Sequence, residues 1–355
     1  MKKTITSFAL LGLLLASCEK NESEINQNQN SSATIEVDMS DFSLVAEEST
    51  LSSKSANAFD KCVTMKNLAY RLDQNPGLAK KMYDIEFNTR KAQLLKGQGK
   101  GKPGSGGGDG GGTPTVYEGT VTIPVVINII EQFSGQVTQA QIDSQISILN
   151  EDFQNNNSNT NNVPSAFSGL VSDVDIVFTL AAVNRVVNTK SSWGTRDAMK
   201  QAKRGGIDVT DPEHNLNIWV CEIGGGILGY AQFPGGSSST DGVVIGTDFF
   251  GETQAGGIYG KGRTATHEVG HWLNLRHIWG DGGCSVDDYV SDTPVSDGAN
   301  YNCPSYPDIS CGSADMTMNY MDYVQDDCMY MFTHEQSDRM RTLFGTNGAR
   351  TGFVN

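Results

Sequence analysis

Apolar residues recur at two spacings along the chain, and the spacing changes near residue 116. Between residues 60 and 96 they follow a helical period, in two runs that break at Asn75-Pro76-Gly77. After residue 116, short apolar runs typical of strands alternate with helical stripes. The pattern predicts a helical hairpin over residues 56–96 and a separate folded domain over residues 116–355.

This folded domain is predicted to be mixed α/β (α+β), because strands come first and helices lie among and after them. One helix is predicted at residues 138–153, where Thr138 and Gln141 can form a capping box, and another at residues 333–344, with Thr333 and Gln336 at its start. Strands are predicted at residues 121–130, 174–183, 216–223 and 242–246. The expected architecture is a twisted mixed sheet with helices packed against it.

The N-terminus has the features of an export signal. Lys2 and Lys3 precede the apolar stretch Ile5–Ala16, which is too short to span a bilayer. The stretch runs into Leu15-Ala-Ser-Cys18, which resembles a bacterial lipoprotein box, so residues 1–18 are interpreted as a signal peptide with a lipidated Cys18. The alternative is an ordinary signal peptide whose cleavage site happens to include a cysteine. Both interpretations predict export, either into the medium or to the cell surface as an outer-membrane lipoprotein.

Two segments of biased composition flank the hairpin. Residues 19–55 are rich in Asn, Ser and Glu and poor in aromatic residues, which predicts a disordered tether. Residues 97–115 consist mainly of Gly, with Lys, Ser and Asp, which predicts a flexible linker open to proteolysis. The hairpin is therefore separable from the domain that follows it.

The charge balance narrows the range of partners. The chain has 26 basic and 41 acidic residues and a formal net charge of −15. A nucleic-acid partner is not expected, because phosphate binding needs a basic surface. Surplus carboxylates suit either an exported protein that binds calcium or simple solubility.

Three of the five histidines, His267, His271 and His277, lie within eleven residues. His267 and His271 are four positions apart, so on a helix they share one face and can reach one metal ion. Glu268 follows the first histidine and projects beside that ion. A continuing helix would rotate His277 away, so the chain must leave the helix at Asn274, a residue type that tolerates a left-handed backbone.

This set of side chains predicts a catalytic zinc site. Three neutral imidazoles leave one position open for water, whereas a structural zinc site is closed by four protein ligands. Zinc would lower the pKa of that water, and Glu268 would accept its proton and pass it to the leaving amine. The competing explanation is a chance match, which the third histidine and the cost of burying unpaired polar groups make the weaker one.

With these residues in place, the sequence resembles the pappalysin family of metzincin metalloproteases over about Val116 to Phe344. The landmarks besides the zinc motif are Leu216-Asn-Ile-Trp-Val, Gly229-Tyr-Ala-Gln-Phe-Pro, Ser291-Asp-Thr-Pro294 and Asn319-Tyr-Met-Asp-Tyr323. The resemblance implies a metzincin-type protease domain with an active-site helix and an irregular, disulfide-linked C-terminal subdomain. It departs from the family at Asn274, where the zinc signature usually has Gly.

The resemblance also assigns roles near the zinc. Met321 would form the floor beneath the three histidines, and Tyr323 would hydrogen-bond the oxyanion. Ordinary core packing is the alternative for Met321. In metzincins the strand that corresponds to Leu228–Phe233 pairs with extended substrate, which assigns substrate binding to Gly229 and Tyr230 and favours an endopeptidase.

A further implication concerns the pocket for the residue after the scissile bond. Asp326 falls in the loop that walls this pocket in metzincins, and an acid there would favour Arg or Lys by direct pairing. Asp327 is an equal candidate, and a solvated or calcium-bound carboxylate is the alternative for either residue. Calcium is also implied in the acidic stretch after the zinc motif, at Asp288 and Thr293, with a solvated loop as the alternative.

The cysteines complete the set of expectations. By resemblance, the pairs in the C-terminal half are Cys284–Cys311 and Cys303–Cys328, although spacing alone allows other connectivities. In related zymogens a prosegment cysteine occupies the open zinc position, and Cys62 fits that role. A structural thiol or a disulfide with Cys221 is the alternative for Cys62.

Together these features predict a secreted or surface-anchored zinc endopeptidase that acts on proteins or peptides and is made as a latent proenzyme. Residues 56–96 would be its propeptide and residues 116–355 its catalytic domain. Zinc is the expected cofactor, with calcium as a second candidate, and a lipid anchor is the only expected membrane contact. One alternative is a non-catalytic metzincin-like binding lipoprotein, against which Glu268 argues. Another is a zinc aminopeptidase, which would need neither His277 nor Met321.

Overall fold

The computed structural model describes residues 35–45, 61–99 and 112–354. The predicted signal peptide (1–18) and the centre of the predicted linker (97–115) lie outside the described residues. Of the helices within these ranges, none combines the length and the apolar character that a membrane span requires.

The N-terminal hairpin consists of α1 (Thr64–Gln74) and α2 (Pro76–Gly97). Its break falls at Asn75, as predicted, because Pro76 suits the first position of a new helix and cannot continue the preceding one. Buried leucines and a methionine of the hairpin pack with Phe233 of the following domain. The hairpin is therefore docked on that domain through an apolar contact.

Five strands form the central sheet, in the order β2-β1-β3-β5-β4. In chain order they are β1 (Val121–Glu131), β2 (Ile176–Val187), β3 (Leu216–Cys221), β4 (Gly229–Ala231) and β5 (Val243–Gly246). All neighbouring pairs are parallel except β4 and β5, which are antiparallel. The predicted mixed sheet is confirmed, and the short strand β4 lies at its edge.

Three helices accompany the sheet, namely α3 (Gln139–Phe153), α4 (Arg263–Trp272) and α5 (His334–Thr342). The predicted capping boxes at Thr138 and Thr333 are both formed. Helix α4 packs against α3, β4 and β5. It therefore brings its side chains next to the edge of the sheet.

The long irregular region after α4 is held by two disulfides, Cys284–Cys311 and Cys303–Cys328. These are the pairs that the family resemblance implied. The region also carries a short antiparallel pair, β6 (Ile309–Ser310) and β7 (Ser313–Ala314). Cross-links of this kind stabilise a segment that has little regular hydrogen bonding of its own.

Residues 37–45 fall within the predicted disordered tether, yet they make defined contacts with the rest of the protein. The backbone N–H of Ser43 donates to the Tyr289 hydroxyl at 2.8 Å. The Phe42 ring lies 5.9 Å from the Tyr83 ring and 5.7 Å from the Tyr289 ring, measured between centroids. No pattern in the sequence predicts this docking, because one aromatic residue in a polar segment produces no periodicity.

Candidate active site

Helix α4 and the turn after it bring the three histidines together. The helix ends at Trp272, and Asn274 follows with a left-handed φ of 73°. Leu275 N then donates to Gly270 O at 2.9 Å, which closes the helix end. The predicted exit at Asn274 is confirmed, and it returns the chain so that His277 faces the same site as the two helical histidines.

Each histidine ring is oriented by an acceptor on its Nδ1 atom. The pairs are His267 with Tyr320 O at 2.8 Å, His271 with Leu275 O at 2.8 Å, and His277 with Asp281 Oδ1 at 2.5 Å. Because these acceptors require an N–H on Nδ1, the lone pairs reside on the Nε2 atoms. The Nε2 atoms of His271 and His277 lie 3.1 Å apart, so their lone pairs are directed at one place.

A zinc ion fits this group of atoms. His267 Nε2 is buried and lacks a hydrogen-bond partner among the described residues, which is costly for a polar atom that binds nothing. Burial lowers the pKa of His267 to about 3 and that of His271 well below its usual value, so both rings are neutral. One ligand atom from each histidine and the Cys62 sulfur all lie within 4.8 Å of one another. Neutral imidazoles and a thiol are donors that zinc prefers.

Glu268 and Cys62 lie side by side at this site. The Oε2 atom of Glu268 accepts a hydrogen bond from Thr64 Oγ1 at 3.0 Å and from the Cys62 thiol at 3.5 Å. Burial raises the pKa of Glu268 to about 8. Burial and then the Glu268 charge raise the pKa of Cys62, whereas zinc would favour the thiolate. The alternative disulfide is not formed, since Cys62 and Cys221 are both free thiols.

Met321 and Tyr323 contact different parts of the site. Met321 is fully buried against α4, and a Cβ atom on Gly270 would lie only 2.4 Å from its sulfur. The Tyr323 ring centroid is 5.7 Å from that of His267, and its hydroxyl donates to Cys62 O at 3.1 Å. Tyr323 thus lies beside His267, and Met321 packs against the helix that carries the first two histidines; their roles at the metal stay predictions.

The sequence matches known proteases along most of its folded part. The family model described as pregnancy-associated plasma protein-A, a family of peptidases, matches residues 208–345. Extracellular metalloproteases of Neurospora crassa and Coccidioides posadasii are 35% and 34% identical to this chain. The matched segments cover 64% and 62% of this chain, and 78% and 74% of those proteins.

This chain belongs to the pappalysin family of metzincin zinc proteases. Mature mirolysin of Tannerella forsythia, solved in complex with a cleaved peptide, is 43% identical with a TM-score of 0.65. That match covers 67% of this chain and 96% of mature mirolysin. A mutant of promirolysin is 36% identical with a TM-score of 0.70, over 82% of this chain and 96% of its own. The protein is therefore a zinc metalloprotease, its catalytic metal is zinc, and its substrates are proteins or peptides.

The outer edge of β4, which pairs with no other strand of the sheet, is covered by the residues that lead into α1. Leu228 N donates to Lys61 O at 2.9 Å, and Cys62 forms a parallel bridge with Gly229. Gly229 lies against the zinc motif, because a Cβ atom there would be 3.0 Å from Glu268 Cγ. An extended peptide that pairs with this edge would need the same backbone groups. In this pappalysin the strand edge is therefore already occupied by the chain itself.

The side chain of Tyr230, which was predicted to bind substrate, does not face the cleft. Its backbone pairs with Val244 of β5, and its side chain is fully buried with the hydroxyl 3.1 Å from Asp197 Oδ1. Since neighbouring residues of a strand present their hydrogen-bonding groups to opposite sides, Gly229 and Ala231 face the cleft instead. The side chain of Tyr230 thus points away from the cleft, so the geometry favours Gly229 and Ala231 for substrate binding, and that role stays a prediction.

Asp326, and not Asp327, lines a pocket beside His267 and Glu268. The Asp326 carboxylate is buried and accepts a hydrogen bond from Lys261 N at 2.8 Å. Burial raises the pKa of Asp326 to about 6. Asp327 is exposed and pairs with the Lys261 ammonium group at the surface. The structure thus distinguishes two residues that the sequence left equal.

A lysine from the segment before α1 lines the same pocket. Lys61 Nζ lies 4.0 Å from the Tyr259 ring centroid and donates to Tyr323 O at 3.0 Å. Burial lowers the pKa of Lys61 to about 8, although the charges of Asp322 and Asp326 act in the opposite direction. A basic side chain is therefore accommodated at the pocket that contains Asp326.

The two residues proposed for calcium are adjacent. Thr293 Oγ1 lies 2.9 Å from both carboxylate oxygens of Asp288, and Val290 N donates to Asp288 Oδ1 at 3.0 Å. Burial raises the pKa of Asp288 well above its usual value. Within the described ranges, the group of ligand atoms close enough to share one ion is the one at the histidines. Calcium at Asp288 and Thr293 stays a prediction.

Two contributors to the site were missed in the sequence. Asp281 orients His277, and it lies in the acidic stretch after the zinc motif, where the sequence does not distinguish it from the other acids. The feature that could have identified Asp281 is its position four residues after the third histidine. Thr64 contacts Glu268 from a distant part of the chain, and no local pattern could have found it.

Proposed function

We propose that this protein is an exported zinc endopeptidase that is made as a latent precursor, blocked by its own residues 61–99. The observation that carries the proposal is the arrangement of three histidine Nε2 atoms beside Glu268, at the free edge of β4. This arrangement combines a metal site, a proton acceptor and a surface that can bind an extended peptide.

For the reaction, His267, His271 and His277 would hold the ion, and bound zinc acts as a Lewis acid that activates water and polarises a carbonyl. Glu268 would accept the proton of the attacking water and transfer it to the leaving amine. Its carboxylate lies beside the ligand atoms, 3.5 Å from the Cys62 sulfur, which is the position that this role requires. Tyr323 would donate a hydrogen bond to the developing oxyanion, as its hydroxyl now donates to a peptide carbonyl, that of Cys62.

Internal cleavage is supported by the shape of the site. β4 is an edge strand whose cleft-facing residues, Gly229 and Ala231, can pair with an extended chain on either side of Glu268. A long substrate could therefore bind through its backbone at several positions. A protease of this kind does not depend on a free terminus of its substrate.

Latency is supported by the position of Cys62. Its sulfur belongs to the same compact group of ligand atoms as the three histidines, so it would fill the position that a substrate or water needs. Lys61, Cys62 and Thr64 also occupy the edge of β4. Promirolysin matches a larger share of this chain than mature mirolysin does, 82% against 67%, as expected if residues before the linker form a prosegment.

A preference for cleavage before Arg or Lys is supported by the pocket at Asp326. The carboxylate is buried beside the catalytic group, and a lysine of the prosegment already lines the pocket. A substrate cation that replaced Lys61 would meet the same aromatic ring of Tyr259 and the same charge.

Export is supported by the names of the relatives, which are extracellular metalloproteases, and by the signal-like N-terminus. The lipoprotein-like ending at Cys18 favours anchoring at the outer membrane over release. Calcium at Asp288 and Thr293 would stabilise the loop that the disulfide Cys284–Cys311 closes, and it is a secondary part of the proposal.

Digestion of casein by the activated protein tests the catalytic proposal. A zinc chelator should abolish cleavage, and added zinc should restore it. Glu268→Ala should lower the rate by roughly 10²–10⁴-fold, as loss of a general base does, without loss of bound zinc. Glu118→Gln, at an exposed carboxyl group, is the matched control and should cleave normally. Full activity of Glu268→Ala, or of a zinc-free preparation, would contradict the proposal.

A further inference from the structure

Arg71 of α1 reaches across to the catalytic domain at the far end of β4. Its guanidinium NH2 lies 2.8 Å from Asp197 Oδ2, and its NH1 donates to Ala231 O at 3.4 Å. Both side chains of the ion pair are largely buried, with 13% and 14% of their surface exposed. A cation of the prosegment therefore binds a carboxylate and a carbonyl of the cleft edge at the same time.

The catalytic domain holds this carboxylate in place without help from the prosegment. Asp197 Oδ1 is 3.3 Å from Lys200 Nζ and accepts a hydrogen bond from Tyr230 OH at 3.1 Å. Lys200 is itself fixed by a hydrogen bond to Thr240 O at 2.7 Å. The Oδ2 atom is the one that faces Arg71. When the prosegment leaves, Asp197 would thus keep its position and present Oδ2 to the cleft.

The order of residues along β4 places Asp197 relative to the scissile bond. Leu228 lines the pocket of Asp326, the next residue, Gly229, lies against Glu268, and Ala231 is two residues further along. Strand geometry separates Gly229 from Ala231 by about 7 Å. Because the Asp326 pocket is assigned to the residue after the scissile bond, Asp197 lies on the side of the residues before it.

The surroundings leave room for a substrate side chain at this place. A cavity of about 810 Å³ lies next to the ion pair, between the hairpin and the catalytic domain. Its walls include Arg71, Asn75 and Pro76 from the hairpin, and Asp197 and Gln232 from the catalytic domain. Departure of the hairpin would open this space toward the cleft.

We infer that Asp197 forms a second basic-residue subsite, which binds an Arg or Lys two to three positions before the scissile bond and which Arg71 fills in the precursor. The inference rests on the proposed function, because it requires an activated protease that cleaves peptides at the β4 edge. The guanidinium of a substrate would repeat both contacts of Arg71, one with Asp197 Oδ2 and one with Ala231 O.

The test uses the full chain after activation by limited proteolysis in the linker. Fluorogenic peptides carry Arg directly after the scissile bond, and each of the three preceding positions carries either Arg or its uncharged analogue citrulline. For the second or the third position before the scissile bond we expect kcat/KM to be about tenfold higher with Arg, as one charge-assisted hydrogen bond at a partly buried site provides. Increasing salt should reduce this ratio.

Two variants then test whether the preference for Arg over citrulline depends on the Asp197 carboxylate. In Asp197→Asn the ratio of Arg to citrulline should fall to about one. Asp143→Asn removes one charge from the exposed face of α3 and should keep the full ratio. A ratio that persists in Asp197→Asn would overturn the inference.

If Asp197→Asn fails to fold, cleavage of the Arg and citrulline peptides by the unmodified enzyme still tests the subsite. Equal cleavage of the Arg and citrulline peptides at all three positions would overturn the subsite and leave the proposed function intact. Absence of cleavage of every peptide, including those with Arg after the bond, would overturn the proposed function and the subsite with it.

Discussion

Glu86 of α2 and Arg339 of α5 form a buried ion pair between the hairpin and the catalytic domain. Arg339 NH1 lies 3.0 Å from Glu86 Oε1, and both side chains are almost completely buried. Arg339 Nε also donates to Asn274 O at 2.9 Å, in the turn that brings His277 to the zinc site. The hairpin is thus tied through one guanidinium group to the turn that shapes the active site.

This pair sets how docking of the hairpin depends on pH. Burial would raise the pKa of Glu86, but Arg339 and Arg90 overcome it and hold the pKa at about 2, below the ordinary value of 4.5. The pair therefore contributes fully above pH 4.5, and its contribution is lost as the pH falls from 4.5 towards 2. We expect the precursor to remain latent in mild acid, with docking that weakens only below about pH 4.5. Hydrogen exchange in α2, measured between pH 3 and pH 7, checks this.

Glu86→Gln should weaken docking of the hairpin at neutral pH, as acid does in the unmodified precursor. Leaving Arg339 buried without its partner should cost about 3–5 kcal/mol of docking free energy and flatten the pH dependence of exchange. Asp84→Asn, on the same helix but at an exposed pair with Lys80, should behave like the unmodified precursor. An unchanged pH profile in Glu86→Gln would show that other groups control docking.

Asp281 should tune the affinity for zinc through His277. Its carboxylate fixes the ring so that Nε2 faces the other histidines. Asp281→Asn should weaken zinc binding by roughly 10–100-fold, because an amide is a poorer acceptor for the ring N–H. Competition with a chelator of known affinity measures this. Asp143→Asn should bind zinc normally, and normal affinity in Asp281→Asn as well would argue against the role.

Gly270 should be intolerant of any side chain. A Cβ atom at this position would lie 2.4 Å from the Met321 sulfur, within the close packing behind the histidines. Gly270→Ala should lower the free energy of unfolding by about 1–3 kcal/mol and reduce activity. Gly169→Ala, where the added atom meets open space, is the matched control. Chemical denaturation of both variants tests the packing, and equal stability would contradict it.

Cys62→Ala should give a precursor that is active before proteolysis. The substitution removes the sulfur from the group of zinc ligand atoms, although Lys61 and Thr64 would still cover β4, so activity should be partial. Cys221→Ala changes the other buried thiol, which lies in the core under β4, and should leave the precursor latent. Peptide hydrolysis by the intact chains measures both. Full latency of Cys62→Ala would refute the blocking role of this cysteine.

The elements that the sequence predicts correctly are those that depend on residues close to one another in the chain. The capping boxes at Thr138 and Thr333 and the break at Asn75 depend on residues at most four positions apart, and all three are confirmed. The edge strand was expected to be longer and to present Tyr230. Which residues of a strand face a cleft depends on its neighbour, here β5, and the sequence of β4 alone contains no such information.

The sequence by itself determined the metal, two of its histidine ligands and the proton acceptor beside them. His267, His271 and Glu268 follow from the geometry of one helical turn, and Asn274 follows from the need to end that helix before His277. Only the tertiary structure decided the rest. Cys62 reaches the histidines, and Arg71 reaches Asp197, across more than a hundred residues of chain. The physical reason is that short-range spacing is set by backbone geometry, whereas pairings between distant segments are set by how whole elements pack.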